Sequence, residues 1–511
     1  MRTLLTAVLA CGLTAMTVPS QGLSWKPCGD DLQCATLSVP ANRTKPAGRQ
    51  VDLALARHQA AGPDRIGSLV FNPGGPGGSG TASIDYVWQL LPDPVKARFG
   101  LVTWDPRGIN KSRPNLDDCR GAPLRLPATG PVAWEQVARG FMQDIRAANR
   151  ACQRSRPAVV RRTSTNANVA DLDRIRAALG DRKLSYWGMS YGTRIGYVYA
   201  LTHPERVRAL VLDGSIDPAS TILRLAEGAP GPDQAFGPFA DAYPVARRQF
   251  NALQKRLARA TVRLPDGQTF DRWVLRDMVF NNVAQQAAYP YIAQFLQLAH
   301  DAVVYGKRKA RVQLAATTQR VIEQRIRSGN AGGAFAVTNC NDYPDRPSLE
   351  QAMPVIEQQV ALGPNFGGVL AIQYALGCTG LKLDPDPVPT ITGRGSNVPV
   401  LVLGASRDGS TVNSWTARMS RACFLKVFHP SRQRPSLPHR RHELTMITAS
   451  SSYPLTIMPW PILFWGFLIS TTWVVAPTDR KGSSTLMPNV SGYPLTKATL
   501  VSRTGSELVM A

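Results

Sequence analysis

The chain has 511 residues, 44% of them apolar and 18% charged, a globular balance that excludes a disordered chain and provides for a sizeable core. The formal net charge is +24, yet Arg is scattered along the whole length with no basic run carrying interleaved aromatics. The charge therefore marks an arginine-rich composition and not a nucleic-acid surface.

The N-terminus reads as an address. Met1-Arg2 is a basic n-region, Leu4 to Val18 an apolar h-region, and Val18-Pro19-Ser20 a small-residue cleavage site before Gln21. The h-region is too short for an ordinary membrane span, so residues 1–20 are expected to be a secretion signal. Export permits disulfides. Cys11 leaves with the signal, and the remaining cysteines pair by proximity as Cys28 with Cys34, Cys119 with Cys152, and Cys340 with Cys378. Cys423 is left over, and an odd cysteine in an exported protein needs a reason.

Trp25 to Pro40 is expected to be an irregular edge tied by its disulfide. Val51 to Ala56 alternates as a half-buried strand does. Gly67 to Phe71 is a buried strand running into Asn72-Pro73-Gly74-Gly75-Pro76-Gly77-Gly78-Ser79-Gly80. Glycine at that density requires a loop whose backbone approaches something closely. It is no phosphate cradle, because no Gly-Lys-Ser/Thr follows. Leu101 to Trp104 is a further strand, ending in Asp105-Pro106-Arg107-Gly108, where Asp105 and Arg107 are expected to be a structural pair. Helical spacing covers Ala133 to Arg150 and Asn166 to Leu179.

Next comes Leu184 to Thr193, in which a short apolar run ends in Gly188-Met189-Ser190-Tyr191-Gly192 and passes directly into a helical pattern. Gly-x-Ser-x-Gly between a strand and a helix is the setting of a nucleophile elbow. Such a turn lifts the Ser190 hydroxyl clear of the sheet and aims the first amides of the helix at any anion forming beside it. In that arrangement the glycine-rich loop supplies a second oxyanion donor. Val207 to Gly214 is the next parallel strand, so strands and helices alternate as in a doubly wound parallel sheet.

From Asp217 the pattern changes. Ile222 to about Gly329 is dominated by helical segments, such as Phe236 to Arg256 and Asn282 to Tyr305, as expected of a cap over 217–395. The sheet resumes at Val398 to Gly404 within a core segment 396–423. Asp408, just after this late strand, stands where the acid of a Ser, Asp, His order belongs.

As a set, these residues resemble the secreted α/β-hydrolase-fold aminopeptidases, the tripeptidyl aminopeptidases related to prolyl aminopeptidases. The resemblance covers about residues 23–422. It rests on Trp25 with Cys28 and Cys34, the Asn72–Gly80 loop, Asp105 to Gly108, the Ser190 elbow, Cys340-Asn341-Asp342 and the strand ending at Asp408. It implies an α/β-hydrolase fold, a mostly parallel doubly wound sheet with an inserted helical cap. It also implies Ser190 as nucleophile, Asp408 as acid, the Gly75 and Tyr191 amides as oxyanion hole, and no metal or organic cofactor. Asp342, or a carboxylate of the cap, is the candidate to bind the ammonium group of a peptide with a free N-terminus. No stable membrane association is expected.

The family's Gly-x-Gly-His stretch beyond the acid is missing here. His58, His203 and His300 all precede the acid, which leaves His429, His439 and His442, and His439 lies nearest the family's interval. Residues 424–511 read as foreign or out of frame relative to the family, and lone Cys423 fits a lost partner. A membrane anchor from Ile457 to Val475 is a weaker reading, because Pro459 and Pro461 interrupt it. Three functions stay open: a secreted serine exopeptidase, an esterase or lipase on the same scaffold, and an inactive hydrolase-fold protein.

Overall fold

The computed structural model describes residues 22–218, 221–228, 231–389 and 398–404, with backbone alone at 324–332, 498–501 and 507–510. Asp408, Cys423, His439 and the segment 457–475 lie outside the described residues, apart from which a short antiparallel ladder joins Ala498–Val501 to Glu507–Met510. Among the described residues no helix is long and apolar enough to cross a membrane.

Strands β1 (Lys26–Gly29), β2 (Leu32–Pro40), β3 (Gln50–His58), β4 (Gly67–Asn72), β5 (Phe99–Trp104), β6 (Leu184–Met189) and β7 (Val207–Asp213) enter one sheet. A two-residue ladder, β8 (Val262–Arg263) with β9 (Thr269–Phe270), stands apart, and β10 (Val400–Leu403) completes the main sheet. Its order is β1-β2-β3-β5-β4-β6-β7-β10. β1, β2, β3 and β5 pair antiparallel, whereas β5, β4, β6, β7 and β10 run parallel. Parallel strands need helical crossovers, which cover both faces, so both faces are apolar. β6 shows this most fully: all six residues are buried. Its Tyr186 packs into the cluster of Leu53, Trp104, Leu172 and Leu210, and its Trp187 and Met189 into that of Phe71, Ile84 and Leu101.

Two expectations are corrected here. Trp25 to Pro40 is an edge hairpin of β1 and β2, irregular only at a register shift between Pro27 and Gly29 and closed by the Cys28–Cys34 bridge. All four residues of β1 are exposed, so it carried no apolar signature to read. Phe236 to Arg256 is two helices, Gly231–Ala242 and Pro244–Arg259, because proline at the first position of the second cannot continue the first.

Among the described residues most of the chain between β7 and β10 is helical, with its own core of Phe236, Phe239, Phe250, Leu253, Leu275 and Leu296. The longest helix, Arg308–Asp342, belongs to both bodies. Leu314 and Val321 pack into the core of the insertion, whereas Val337 and Cys340 pack into the core of the sheet. Cys340 is bridged to Cys378 and Cys119 to Cys152, so the three close pairs read from the sequence are all formed.

Candidate active site

Ser190 sits between β6 and the helix Tyr191–Thr202 with φ 51° and ψ −120°, a combination that non-glycine residues rarely adopt. Such a conformation costs of order 1–3 kcal/mol and persists only where its surroundings hold it. Here they do. The Ser190 N–H donates to the Asp213 carbonyl at 2.8 Å, and the Thr193 N–H and hydroxyl both donate to the Ser190 carbonyl, at 2.9 and 2.6 Å. The Thr193 hydroxyl accepts in turn from the Ile216 amide at 3.1 Å, tying the elbow to the end of β7. The turn is tight enough to require glycine at Gly188: a β-carbon there would stand 2.3 Å from the Gly192 carbonyl oxygen.

The glycine-rich loop lies against this turn. β4 and β6 are neighbours in register, Asn72 opposite Gly188, and the Asn72 side-chain oxygen accepts from the Gly74 N–H at 2.9 Å. Gly74 has φ 90°, and a β-carbon on it would lie 2.4 Å from the Met189 carbonyl oxygen, 2.9 Å from Ser190 Cβ and 3.0 Å from the Tyr191 nitrogen. Gly74, which precedes Gly75, thus stands close against the elbow at Met189, Ser190 and Tyr191.

Asp105 anchors the far end of the loop. It accepts from the Ser79 hydroxyl at 2.6 Å, the Thr81 hydroxyl at 2.9 Å and the Thr81 amide at 3.1 Å, at the start of the helix Gly80–Leu90. Arg107 is not its partner. Its guanidinium makes a two-pronged bond to Asp171, at 2.8 and 2.6 Å, and donates to the Pro40, Ala41 and Arg162 carbonyls. The pair expected from sequence is two separate structural anchors.

Asp342 is fully buried. Its Oδ1 accepts from the Thr165 amide at 2.7 Å, and its Oδ2 from the Thr165 hydroxyl at 2.6 Å and Arg194 Nη1 at 3.1 Å. A substrate ammonium would have to displace these partners, so the carboxylate as placed is an internal counter-ion. Burial pushes the Asp342 carboxyl upward and Arg194 opposes it. Burial alone would lower Arg194, but Tyr343 and Asp342 outweigh it and hold the guanidinium charged. Burial likewise raises the Tyr191 phenol. Sequence reasoning missed Arg194, Thr165 and Asn168. One signal was present: an arginine inside the otherwise apolar helix Tyr191–Thr202.

A strained serine between a buried parallel strand and a helix, with a glycine-rich loop against it, is the arrangement of one large class of folds. The chain belongs to the alpha/beta hydrolase fold family, whose pattern matches residues 67–428. It is 40% identical over 244 residues to serine protease Hip1 of Mycobacterium tuberculosis, spanning 45% of this chain and 47% of that protein. It is 35% identical over 225 residues to the tripeptidyl aminopeptidase of Streptomyces coelicolor, spanning 40% of each. Carboxylesterase B of Mycobacterium tuberculosis is 35% identical over 218 residues, spanning 38% of this chain and 40% of that protein. The chain thus spans less than half the length of these relatives.

Proposed function

We propose that this chain is a secreted serine exopeptidase that releases short peptides, tripeptides among them, from free N-termini through an acyl-enzyme. The observation that carries this reading is the Ser190 turn, strained and locked by its neighbours with Gly74 packed on it. The Ser190 hydroxyl attacks the scissile carbonyl, and the Gly75 and Tyr191 amides receive the oxyanion in a site where fixed donors outweigh water. His439 is the general base that takes the Ser190 proton and later returns it to the leaving amine, Asp408 is the acid that orients it, and the helical insertion is the cap over the pocket. Three disulfides support an exported protein. Relatives named for serine protease and tripeptidyl aminopeptidase activity support a peptide substrate. The family match ends at residue 428, short of His439, in keeping with a tail foreign to the family.

A second reading, an esterase, is favoured by the similarity to carboxylesterase B, as close in identity as that to the aminopeptidase. Labelling with a fluorophosphonate, followed by turnover of tripeptidyl anilides and simple esters, tests both. The expected result is covalent labelling lost in Ser190→Ala, with turnover of an anilide bearing a free N-terminus and none of its acetylated form. Turnover of esters alone sinks the peptidase reading. Absence of labelling sinks both, and leaves a hydrolase-fold protein without its base.

A further inference from the structure

We propose that Asp342, Arg194 and Thr165 form a positioning clamp on Tyr191, through which the helix Arg308–Asp342 couples the helical insertion to the oxyanion amide. The inference rests on the reading of Ser190 and Tyr191 given above and names residues that act on that site without touching substrate.

Proton directions in the network are fixed by its chemistry. An ionised Asp342 only accepts, so the Thr165 hydroxyl spends its single proton on Oδ2 at 2.6 Å. The 2.8 Å contact between Thr165 Oγ1 and the Tyr191 hydroxyl must then have Tyr191 as donor. The Tyr191 hydroxyl accepts in turn from Asn168 Nδ2 at 3.2 Å. Chains ordered in one direction polarise each other, and all the members here are buried. The ring of Tyr191 is held as well as its tip: the Arg194 guanidinium lies 5.5 Å from its centroid and 4.7 Å from that of Tyr343. A side chain fixed at both hydroxyl and face leaves its own backbone amide little freedom to turn. That amide is the one following Ser190.

Stability alone is a poor account of the clamp. A buried ion pair is commonly replaceable by apolar residues without loss. This one is also incompletely satisfied, since Arg194 Nε and Nη2 find no hydrogen-bond partner among the described residues. The elements the clamp joins point to coupling. Asp342 and Asn339, whose side-chain oxygen accepts from Arg194 Nη1 at 3.1 Å, end a helix whose other half is packed in the core of the insertion. Thr165 opens the helix that leads to β6, and Arg194 lies one turn beyond Ser190. A shift of the long helix is therefore delivered to the amide.

The test is the rate of Ser190 phosphonylation by a fluorophosphonate, resolved into binding and bond formation, in the full chain and in Tyr191→Phe, Thr165→Val and Thr165→Ser. Tyr191→Phe and Thr165→Val are expected to slow bond formation by about ten- to a hundredfold with reagent affinity unchanged. That is less than the 10²–10³ for a donor removed outright, because the amide is turned and not lost. Thr165→Ser keeps the hydroxyl and is expected to restore the rate, which a purely structural role of the threonine methyl would not predict. Wild-type rates in both Tyr191→Phe and Thr165→Val, with the parent chain labelled normally, overturn the clamp alone. A parent chain that does not label at all overturns the functional reading and the clamp with it.

Discussion

Replacing Gly188 by alanine puts the packing of the elbow to a direct test. The added β-carbon would lie 2.3 Å from the Gly192 carbonyl oxygen, 2.5 Å from its carbon and 2.6 Å from Tyr186 Cε1. Two of these atoms are backbone of the same turn, so no flexible side chain can swing aside. The strand cannot retreat either, since Gly188 is held in register by Asn72 on one side and Leu212 on the other. Overpacking of a closed site costs about 1–3 kcal/mol, and a site fixed on every side belongs at the upper end. About 3 kcal/mol in a chain of this size is a fall in melting temperature of roughly 3 °C. The relief available is to open the turn, and a displacement near 1 Å at a nucleophile costs about 10²-fold in rate. Thermal unfolding and Ser190 labelling measure the two effects. Gly140→Ala is the control: it lies inside the helix Trp134–Ser155 with nothing within 4 Å of its β-carbon, and should stabilise by about 0.5–1 kcal/mol. A Gly188→Ala protein that melts and labels like the parent would refute the account of the elbow.

Asp171→Ala strands the buried Arg107 guanidinium and should cost about 3–5 kcal/mol in denaturant unfolding, whereas joint replacement of both residues by apolar ones should recover most of the loss. Replacing Cys340 and Cys378 by alanine opens a loop of 38 residues and should lower stability by about 4 kcal/mol, read as a melting difference that disappears when both proteins are reduced. Asp386 gives a pH signature. Burial would raise its carboxyl, but Arg43, Asn166 and Ser164 outweigh it and hold it below the ordinary 3.8. A depressed folded value means stabilisation present above 3.8 and lost as pH falls through the folded value. Asp386→Asn should therefore be less stable than the parent near neutrality, by about 1 kcal/mol or less after solvent screening, with the gap closing in acid. A gap independent of pH would contradict this.

The strands that carry the site were legible because burial on both faces leaves continuous apolar runs, as in Gly67 to Phe71 and Leu184 to Met189. The elbow was legible because Gly188 and Gly192 answer steric demands that no other residue meets. What escaped the sequence depended on partners distant along the chain. Asp105 and Arg107 are two positions apart, yet one reaches Ser79 and Thr81 and the other Asp171. Asp342 reads as a free carboxylate until the fold sets Arg194 and Thr165 against it. β1 was missed because an exposed strand takes its order from its partner and not from its own residues.

The register of β4 against β6 has a bearing on how the protein comes into being. Asn72 and Gly188 are opposite each other in the sheet but more than a hundred residues apart along the chain. At about 5–20 residues per second of synthesis, the loop waits on the order of ten seconds for the turn it must meet. Until the β4–β6 ladder closes, Gly74 has no turn to pack on, and the bonds from Asp213 and Thr193 hold Ser190 without the loop. Pairings this distant in sequence are slow to form.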